Sequence, residues 1–482
     1  MTKDKNSAFR GNSPEARDVQ YLIHPYTNLE KHQHQGPMIM DHAKGVWITD
    51  NTGKRYLEGL AGLWCTGLGY GEERLIKAAS DQMRKLSFCH LFNHKSHDPA
   101  IDLAEKLCAI APLANTDRAP NSETDRAMNK VFFANSGSEA NDSAVKLIWY
   151  YHNAIGKPDK KKIISRVKGY HGVTVAAASL TGLPPLHIDF DLPIAGIHHT
   201  LCPHHYRFGL DGESEAEFVA RLAAELEALI LQEGPDTIGG FFAEPIMGAG
   251  GVIVPPQGYF EAIQPILAKY DILFVADEVI CGFGRTGKMF GCESFGITPD
   301  MMVVAKQLSS AYIPISAVMV NKKIGNVVTQ NAGKIGTFGM GYTYSGHPVA
   351  TAVALEVLKI YEERNLIDHI QAVSVPFQQG LQQFADHPLV GEVRGMGLIG
   401  AIELSPNKRK REMFDPAAMV GPMMAKMCEQ HGLIVRALGN DAIALCPPVI
   451  INHEEIDYMM NALKNALDDQ WKWIQHENLM TI

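Results

Sequence analysis

The chain contains two five-residue apolar runs, Ile272-Leu-Phe-Val-Ala276 and Met301-Met-Val-Val-Ala305, and each is followed directly by a charged residue, Asp277 or Lys306. Short, continuous apolar runs of this kind are typical of strands that a parallel sheet buries on both faces. In open α/β sheets ligands bind beyond the carboxyl ends of the strands. Asp277 and Lys306 are therefore candidate site residues.

The sequence around these runs repeats the same alternation of short apolar strands with longer helical patterns. One such helix is expected to begin at the capping-box pair Ser214 and Glu217 and to end at Gly234. The predicted strands are 131–134, 163–167, 238–243, 272–276, 301–305 and 316–320. This order predicts an α/β fold with a mainly parallel sheet and crossover helices.

The two ends of the chain differ from this pattern. A hairpin is predicted at 46–49 and 55–57, which is too little to fold alone. Toward the C-terminus we predict strands at 398–404, 433–435 and 442–445, and a last helix that begins at Asn452 and Glu455. We expect three parts: an N-terminal segment 1–75 that packs with the small domain, a large domain 76–345 and a smaller α+β domain 346–482.

Composition narrows the classes of function. Of 482 residues, 46% are hydrophobic and 20% are charged, and 44 basic against 53 acidic residues give a net charge of −9. This balance favours a small-molecule site and no binding to nucleic acid or a membrane. The polar beginning predicts no secretory signal, and eight cysteines without a CxxC pair indicate reduced thiols in the cytoplasm.

Three features together suggest one cofactor. Ser136-Gly-Ser138 lies between a predicted strand and a helix, where free N–H groups suit a phosphate, although a simple serine N-cap fits the same spacing. Lys306 could be a desolvated amine nucleophile or a strand-end lysine that reaches solvent. Asp277 could hold a proton on a heteroaromatic nitrogen, or be an N-cap or ion pair. A phosphate cradle, an aspartate and a lysine are what pyridoxal phosphate needs.

A separate candidate is the segment 196–205, which holds five histidines and cysteines within eight residues: His198, His199, Cys202, His204 and His205. Zinc sites usually offer CxxC or HxxxH spacing, which this segment lacks. We therefore expect a solvated loop and no metal site.

Six motifs occur in order along most of the chain: Leu60-Ala-Gly-Leu-Trp-Cys65, Asn135-Ser-Gly-Ser-Glu-Ala-Asn141, Ser165-Arg-Val-Lys-Gly-Tyr-His-Gly172, Ala243-Glu-Pro-Ile-Met-Gly-Ala-Gly250, Leu273-Phe-Val-Ala-Asp-Glu-Val-Ile-Cys-Gly-Phe-Gly-Arg-Thr-Gly287 and Tyr342-Thr-Tyr-Ser-Gly-His-Pro348. In these motifs the chain resembles the class III aminotransferases of pyridoxal-phosphate fold type I. Within that family it is most similar to the omega-amino acid or amine:pyruvate transaminases.

The resemblance implies roles for individual residues. The catalytic residues would be Lys306, Asp277 and Tyr170. Lys306 would bind the cofactor covalently and move the proton between substrate and cofactor, and Asp277 would hold the pyridinium nitrogen. The remaining cofactor contacts would come from Ser136, Gly137, Ser138, Tyr170, His171, Glu244 and Val279, with Tyr170 and Val279 on the two faces of the ring.

The same resemblance implies a substrate pocket and a homodimer. Trp64, Phe92 and Tyr170 would be pocket walls, and Arg436 would be a mobile arginine that binds a carboxylate. Thr343 would reach the phosphate of the neighbouring subunit's cofactor, which implies composite active sites in a dimer or in a pair of such dimers.

The function implied is transfer of an amino group from a primary amine or omega-amino acid to a 2-oxo acid, with pyruvate expected as acceptor. Two alternatives stay open. One is a pyridoxal-phosphate decarboxylase or aminomutase on the same scaffold. The other is a non-catalytic module that binds the cofactor or a metal, against which the joint presence of Lys306 and Asp277 argues.

Overall fold

In the computed structural model, residues 9, 11–112 and 126–480 are described. The strands in this part of the chain are β1 Met40–Lys44, β2 Trp47–Asp50, β3 Arg55–Glu58, β4 Met128–Ala134, β5 Lys162–Arg166, β6 Ile197–Thr200, β7 Ile238–Ala243, β8 Leu273–Asp277, β9 Met301–Val304, β10 Ser316–Asn321, β11 Val390–Met396, β12 Ile399–Leu404, β13 Leu433–Ile434, β14 Arg436–Leu438 and β15 Ala442–Leu445.

The helices of the same residues are α1 Pro14–Tyr21, α2 Leu29–Gln35, α3 Ala61–Trp64, α4 Glu73–Lys85, α5 Asp98–Ile110, α6 Gly137–Ala154, α7 Val175–Leu180, α8 His205–Phe208, α9 Glu215–Glu233, α10 Tyr259–Lys269, α11 Gly291–Ser294, α12 Lys322–Ile335, α13 Pro348–Glu363, α14 Leu366–Gln382, α15 Val420–Gln430 and α16 His453–His476. None of them combines the length and the apolar composition that a membrane crossing requires.

The central sheet has seven strands in the order β4-β10-β9-β8-β7-β5-β6. β10 is antiparallel to β4 and β9, and the other neighbours are parallel. Every residue of β7, β8, β9 and β10 is buried, as a sheet covered on both faces requires. The predicted α/β fold with a mainly parallel sheet is confirmed.

The topology brings the two charged strand ends together. β8 and β9 are parallel neighbours, with Asp277 in register with Val303. Asp277 ends β8, and Lys306 follows β9 by two residues. Both side chains therefore leave the sheet at the same carboxyl edge.

Helices cover both faces of this sheet. One apolar cluster joins α6 to the strands and includes Ala144, Ile148, Val275, Val303 and Val318. On the opposite face a larger cluster joins other strand residues to α10 and α13, and it includes Phe241, Phe260, Phe274, Met302 and Val357. Burial of the strands between these layers fixes the edge on which the candidate site lies.

The predicted helix signals hold in detail. Ser214 and Glu217 form a capping box at the start of α9, and Gly234 is its C-cap with a positive φ of 92°. Asn452 and Glu455 form another capping box at the start of α16. The reciprocal hydrogen bonds satisfy helix N–H groups that would otherwise lack an acceptor.

The N-terminal and C-terminal parts of the chain form two four-stranded sheets. The predicted hairpin is β2–β3, and β3 continues into a parallel pairing with β13 in the order β1-β2-β3-β13. Strands β11-β12-β15-β14 form an antiparallel sheet. The hairpin thus pairs with a strand that follows it by more than 370 residues, Leu57 with Leu433. The domain limits at 75 and 345 stay a prediction.

The segment 196–205 corrects one expectation. Residues Ile197–Thr200 form β6, which pairs in parallel with β5 at the sheet edge. Beyond it, Cys202 and His204 are buried, and Nε2 of His204 lies 2.8 Å from Glu392 Oε2. The prediction of a solvated loop was wrong, because two partly exposed histidines in an edge strand hide its apolar pattern.

Candidate active site

The carboxylate of Asp277 is held by groups from three parts of the chain. Its Oδ2 accepts a hydrogen bond from the Asn141 amide at 2.9 Å and lies 2.8 Å from Nδ1 of His171. Its Oδ1 accepts the Val279 N–H at 3.1 Å. A carboxylate offers about four lone-pair sites, so Asp277 keeps acceptor capacity for a further donor.

Lys306 is both strained and desolvated. Its backbone has a φ of +47°, a left-handed conformation that costs a non-glycine residue about 1–3 kcal/mol and is concentrated at functional sites. Burial lowers the pKa of its amine, while Cys65 and Asp277 act in the opposite direction. A lower pKa enlarges the fraction of neutral amine, which is the nucleophilic form.

Ser136, Gly137 and Ser138 form the start of α6. Ser136 is its N-cap and accepts the Glu139 N–H at 3.2 Å, so the simple N-cap interpretation holds alongside the phosphate one. The first N–H groups of a helix have no acceptor within the helix, which leaves those of Gly137 and Ser138 available to an anion. A Cβ at Gly137 would lie 3.2 Å from Val279, so a larger residue would crowd this corner.

Tyr170 and His171 lie in the loop between β5 and α7, and Glu244 anchors that loop. The Tyr170 N–H donates to Glu244 Oε1 at 2.9 Å, and the Gly248 N–H donates to Oε2 at the same distance. Burial raises the pKa of Glu244, although His171 acts in the opposite direction. Glu244 thus fixes the backbone that presents both ring side chains.

These groups enclose one cavity of about 360 Å³. Nine of the predicted site residues line it: Ser136, Gly137, Ser138, Tyr170, His171, Glu244, Asp277, Val279 and Lys306. The cavity combines helix N–H groups for an anion, a buried acceptor for a ring N–H and an amine of lowered pKa. This donor set fits pyridoxal phosphate, and the individual contacts stay predictions.

The remaining predicted pocket residues divide into two places. Trp64 and Arg436 lie beside the cavity: Lys306 Nζ is 5.3 Å and the Arg436 guanidinium 5.1 Å from the Trp64 ring centre. Phe92 and Thr343 are exposed, and neither lines the cavity of its own chain. A Cβ at Gly341 would lie 2.5 Å from the Phe92 ring, which places Phe92 against the segment that carries Thr343.

Three of the residues at the site that the sequence analysis did not assign to it make informative contacts. Asn141 binds Asp277, Cys65 lines the cavity, and Tyr26 reaches its rim. The Tyr26 hydroxyl lies 3.0 Å from that of Tyr170. Asn141 and Cys65 end two of the motifs quoted above, which was a usable signal, whereas Tyr26 lies outside all of them.

Comparison with known proteins agrees with this geometry. A family model described as "Aminotransferase class-III" matches residues 29–467. A chloroplastic gamma aminobutyrate transaminase 3 from Solanum lycopersicum is 52% identical over 433 residues, which cover 90% of this chain and 81% of the relative.

Solved structures are similar over nearly the whole chain. The omega transaminase from Pseudomonas jessenii in complex with PMP is 53% identical, with a TM-score of 0.92 over 96% of this chain and 99% of that one. A transaminase with L-alanine is 51% identical, with a TM-score of 0.86 over 91% of this chain and all of the other.

Proposed function

Because the chain belongs to the class-III aminotransferases, we propose that it moves an amino group from a primary amine or omega-amino acid to a 2-oxo acid, with pyruvate as the acceptor. It is a pyridoxal-phosphate-dependent transaminase of fold type I. Because the family consists of enzymes, the alternative of a non-catalytic module that binds a cofactor or a metal is not supported.

The position of Arg436 is the observation that supports the proposed substrates. Its guanidinium and the amine of Lys306 approach the same Trp64 ring, at 5.1 and 5.3 Å from its centre. A guanidinium binds a carboxylate through two parallel hydrogen bonds. A 2-oxo acid bound in this way would direct its carbonyl toward Lys306, and the aromatic wall would suit the hydrocarbon part of an amine.

The relatives support both halves of the proposal. The tomato relative is named for gamma-aminobutyrate, which is an omega-amino acid. One structural neighbour is described with L-alanine, the amino acid that forms when pyruvate accepts an amino group.

The residues of this chain have distinct tasks in the proposed reaction. Bound pyridoxal phosphate supplies an electron sink. Lys306 would attach the cofactor and would take up and return the proton at the reacting carbon. Asp277 would hold the ring nitrogen, and Gly137 and Ser138 would bind the phosphate at the start of α6.

A substrate panel tests the function. Amines, diamines, omega-amino acids and taurine are each combined with pyruvate or 2-oxoglutarate, and the aminated acceptor is measured. We expect turnover with primary amines or omega-amino acids, and a higher kcat/KM with pyruvate. A preference for 2-oxoglutarate would contradict the acceptor. Release of CO₂, or product formation without a keto acid, would favour the decarboxylase or aminomutase.

Arg436→Ala should weaken the keto-acid half-reaction selectively. Loss of a charge-assisted bidentate pair should raise the KM for pyruvate by about 10- to 100-fold. The half-reaction with an amine that lacks a carboxylate should keep its rate, as single-turnover kinetics would show. Arg55→Ala is the matched control, since the Arg55 guanidinium lies 4.0 Å from the centre of the Trp47 ring and Arg55 does not line the cavity. Equal losses in both half-reactions would contradict a carboxylate clamp.

We further propose that the enzyme is a homodimer with composite active sites. A single chain exposes several large apolar side chains near the Thr343 segment: Met83, Leu86, Phe88, Phe92 and Tyr344. Phe88 also contacts Tyr344 and His347, with ring centres 5.9 Å apart in both pairs. Exposed apolar patches of this kind mark protein–protein interfaces. If a second chain packs on this patch, Phe92 and Thr343 of the first chain would lie at the cavity of the second.

Mixed dimers of Lys306→Ala and Thr343→Ala chains test the composite site. In such a dimer the chain with Lys306 receives an intact Thr343 from its partner, while the other site carries both defects. Random refolding of an equal mixture makes about half of the dimers mixed, and each mixed dimer has one intact site. The refolded mixture should therefore be more active than either parent, at about a quarter of the wild-type rate. Activity no higher than the average of the parents, or a fully active monomer in sedimentation, would overturn the proposal.

We propose a cytoplasmic location. All eight cysteines lie in described residues and are free thiols, which is typical of a reducing compartment. Recovery of the activity in the cytosolic fraction of lysed cells tests this location.

A further inference from the structure

The carboxylate of Asp18, near the N-terminus, contacts two histidine side chains. His24 Nε2 lies 2.9 Å from Asp18 Oδ1 and 3.0 Å from Oδ2, and His32 Nε2 lies 2.9 Å from the same Oδ1. The two imidazole centres are 4.2 Å apart. Partial burial alone would raise the pKa of Asp18, but the hydrogen bonds from His32 and His24 bring it below its ordinary value.

This cluster closes a loop. Asp18 belongs to α1, His32 belongs to α2, and His24 lies in the connection between the helices. The segment 24–32 therefore begins and ends at a single carboxylate. Closing a loop at both ends removes most of its conformational freedom, which would otherwise oppose any fixed contact made at its tip.

Tyr26 lies in this loop, two residues after His24. Its backbone has a φ of +54°, and its side chain is 56% exposed, so its own packing does not hold it in place. Yet its hydroxyl lies 3.0 Å from the Tyr170 hydroxyl, and its ring centre lies 6.0 Å from the Arg436 guanidinium. Tyr26 thus contacts a cavity wall and the expected carboxylate-binding residue at once.

A metal ion would be another way to use these three side chains, whose ligand atoms lie within 4.8 Å of one another. The observed distances are hydrogen-bond lengths, and each Nε2 already has the Asp18 carboxylate as its partner. The three side chains therefore satisfy one another by hydrogen bonds, and these bonds hold the two ends of the loop together.

We propose that Asp18 is a positioning residue for the substrate pocket: through His24 and His32 it fixes the loop that keeps Tyr26 against Tyr170 and Arg436. This role rests on the proposed transaminase function. Asp18 does not line the cavity, so we expect it to act on the placement of pocket residues and to leave the chemical step unchanged.

Asp18→Ala should therefore raise the KM for pyruvate, whose carboxylate Arg436 is expected to bind, by about tenfold, on the scale of one lost hydrogen bond to a charged group, with kcat nearly unchanged. Asp18→Asn keeps one acceptor oxygen and should show a smaller rise. The matched control is Asp41→Ala, because Asp41 forms an exposed pair of 2.9 Å with His42 that closes no loop. A fall in kcat of the same size as the change in KM would overturn the role.

A double-mutant cycle with Tyr26 separates positioning from general destabilisation. If Asp18 acts through Tyr26, Asp18→Ala should raise KM no further in a chain that already carries Tyr26→Ala. Additive effects of the two substitutions would overturn the proposal.

Hydrogen exchange supplies a readout that does not depend on turnover. In Asp18→Ala the amides of Leu22, Lys31 and His32, which donate hydrogen bonds at the two ends of the loop, should exchange at least about tenfold faster, while those of α9 stay unchanged, because only the loop is released. Unchanged exchange at these three amides would overturn the proposal even if the wild-type chain proved inactive on every amine. Failure of the proposed function and failure of the loop fastening are thus told apart.

Discussion

Replacing Lys306 with alanine should abolish turnover together with the visible absorbance of the lysine-bound cofactor. Among the described residues, Lys306 is the one lysine that lines the cavity. Burial lowers the pKa of its amine, so at neutral pH more of it is neutral and able to attack or accept a proton. Without this amine, kcat should fall by at least about 10²–10⁴-fold, the range that general acid–base catalysis supplies.

Lys168→Ala is the matched control for this experiment. Burial also lowers the pKa of Lys168, and its backbone also has a positive φ, of 67°, but it does not line the cavity. The control should keep both the absorbance and kcat within about twofold, as expected for a site without contact to the chemistry. Normal turnover in Lys306→Ala, or equal losses in the two variants, would contradict the assignment.

The cavity residues at the carboxyl ends of the strands could be predicted, because their positions follow from the order of the strands. Asp277 and Lys306 each end a buried run, and parallel neighbouring strands place such ends at one edge. Ser136-Gly-Ser138 was found by a similar local signal, a turn between a strand and a helix start. These predictions need no knowledge of side-chain directions.

The rim of the cavity could not be predicted in this way. Tyr26 and Tyr170 are 144 positions apart, and no periodicity connects them. Their contact depends on a loop that two histidines and Asp18 close, and therefore on side-chain directions in three dimensions. Phe92 and Thr343 pose a different problem, because their predicted contacts belong to a second copy of the chain.

Asp277→Asn should preserve the fold and cofactor attachment but reduce kcat by at least about 10²-fold, the scale of losing one preorganised electrostatic partner. Asparagine keeps the shape of the side chain, and the Asn141 amide, His171 and the Val279 N–H remain around it. Lys306 and the start of α6 also remain. What is lost is the negative charge that holds a proton on the ring nitrogen and makes the ring an effective electron sink. Absorbance titration of the bound cofactor and stopped-flow rates measure the two effects separately.

Asp300→Asn is the matched control, because it removes the charge of a carboxylate elsewhere in the same sheet, away from the cavity. Asp300 is partly buried, and burial raises its pKa, but it precedes β9 at the opposite edge of the sheet. There it accepts the Phe274 N–H at 2.9 Å and the Asn321 amide at 3.0 Å. Because neutralising Asp300 changes no group that lines the cavity, this variant should keep kcat even if its melting temperature falls. Full activity in Asp277→Asn would contradict a carboxylate directed at the cofactor. An equal loss of activity in Asp300→Asn would show that the effect reflects the folding of the sheet.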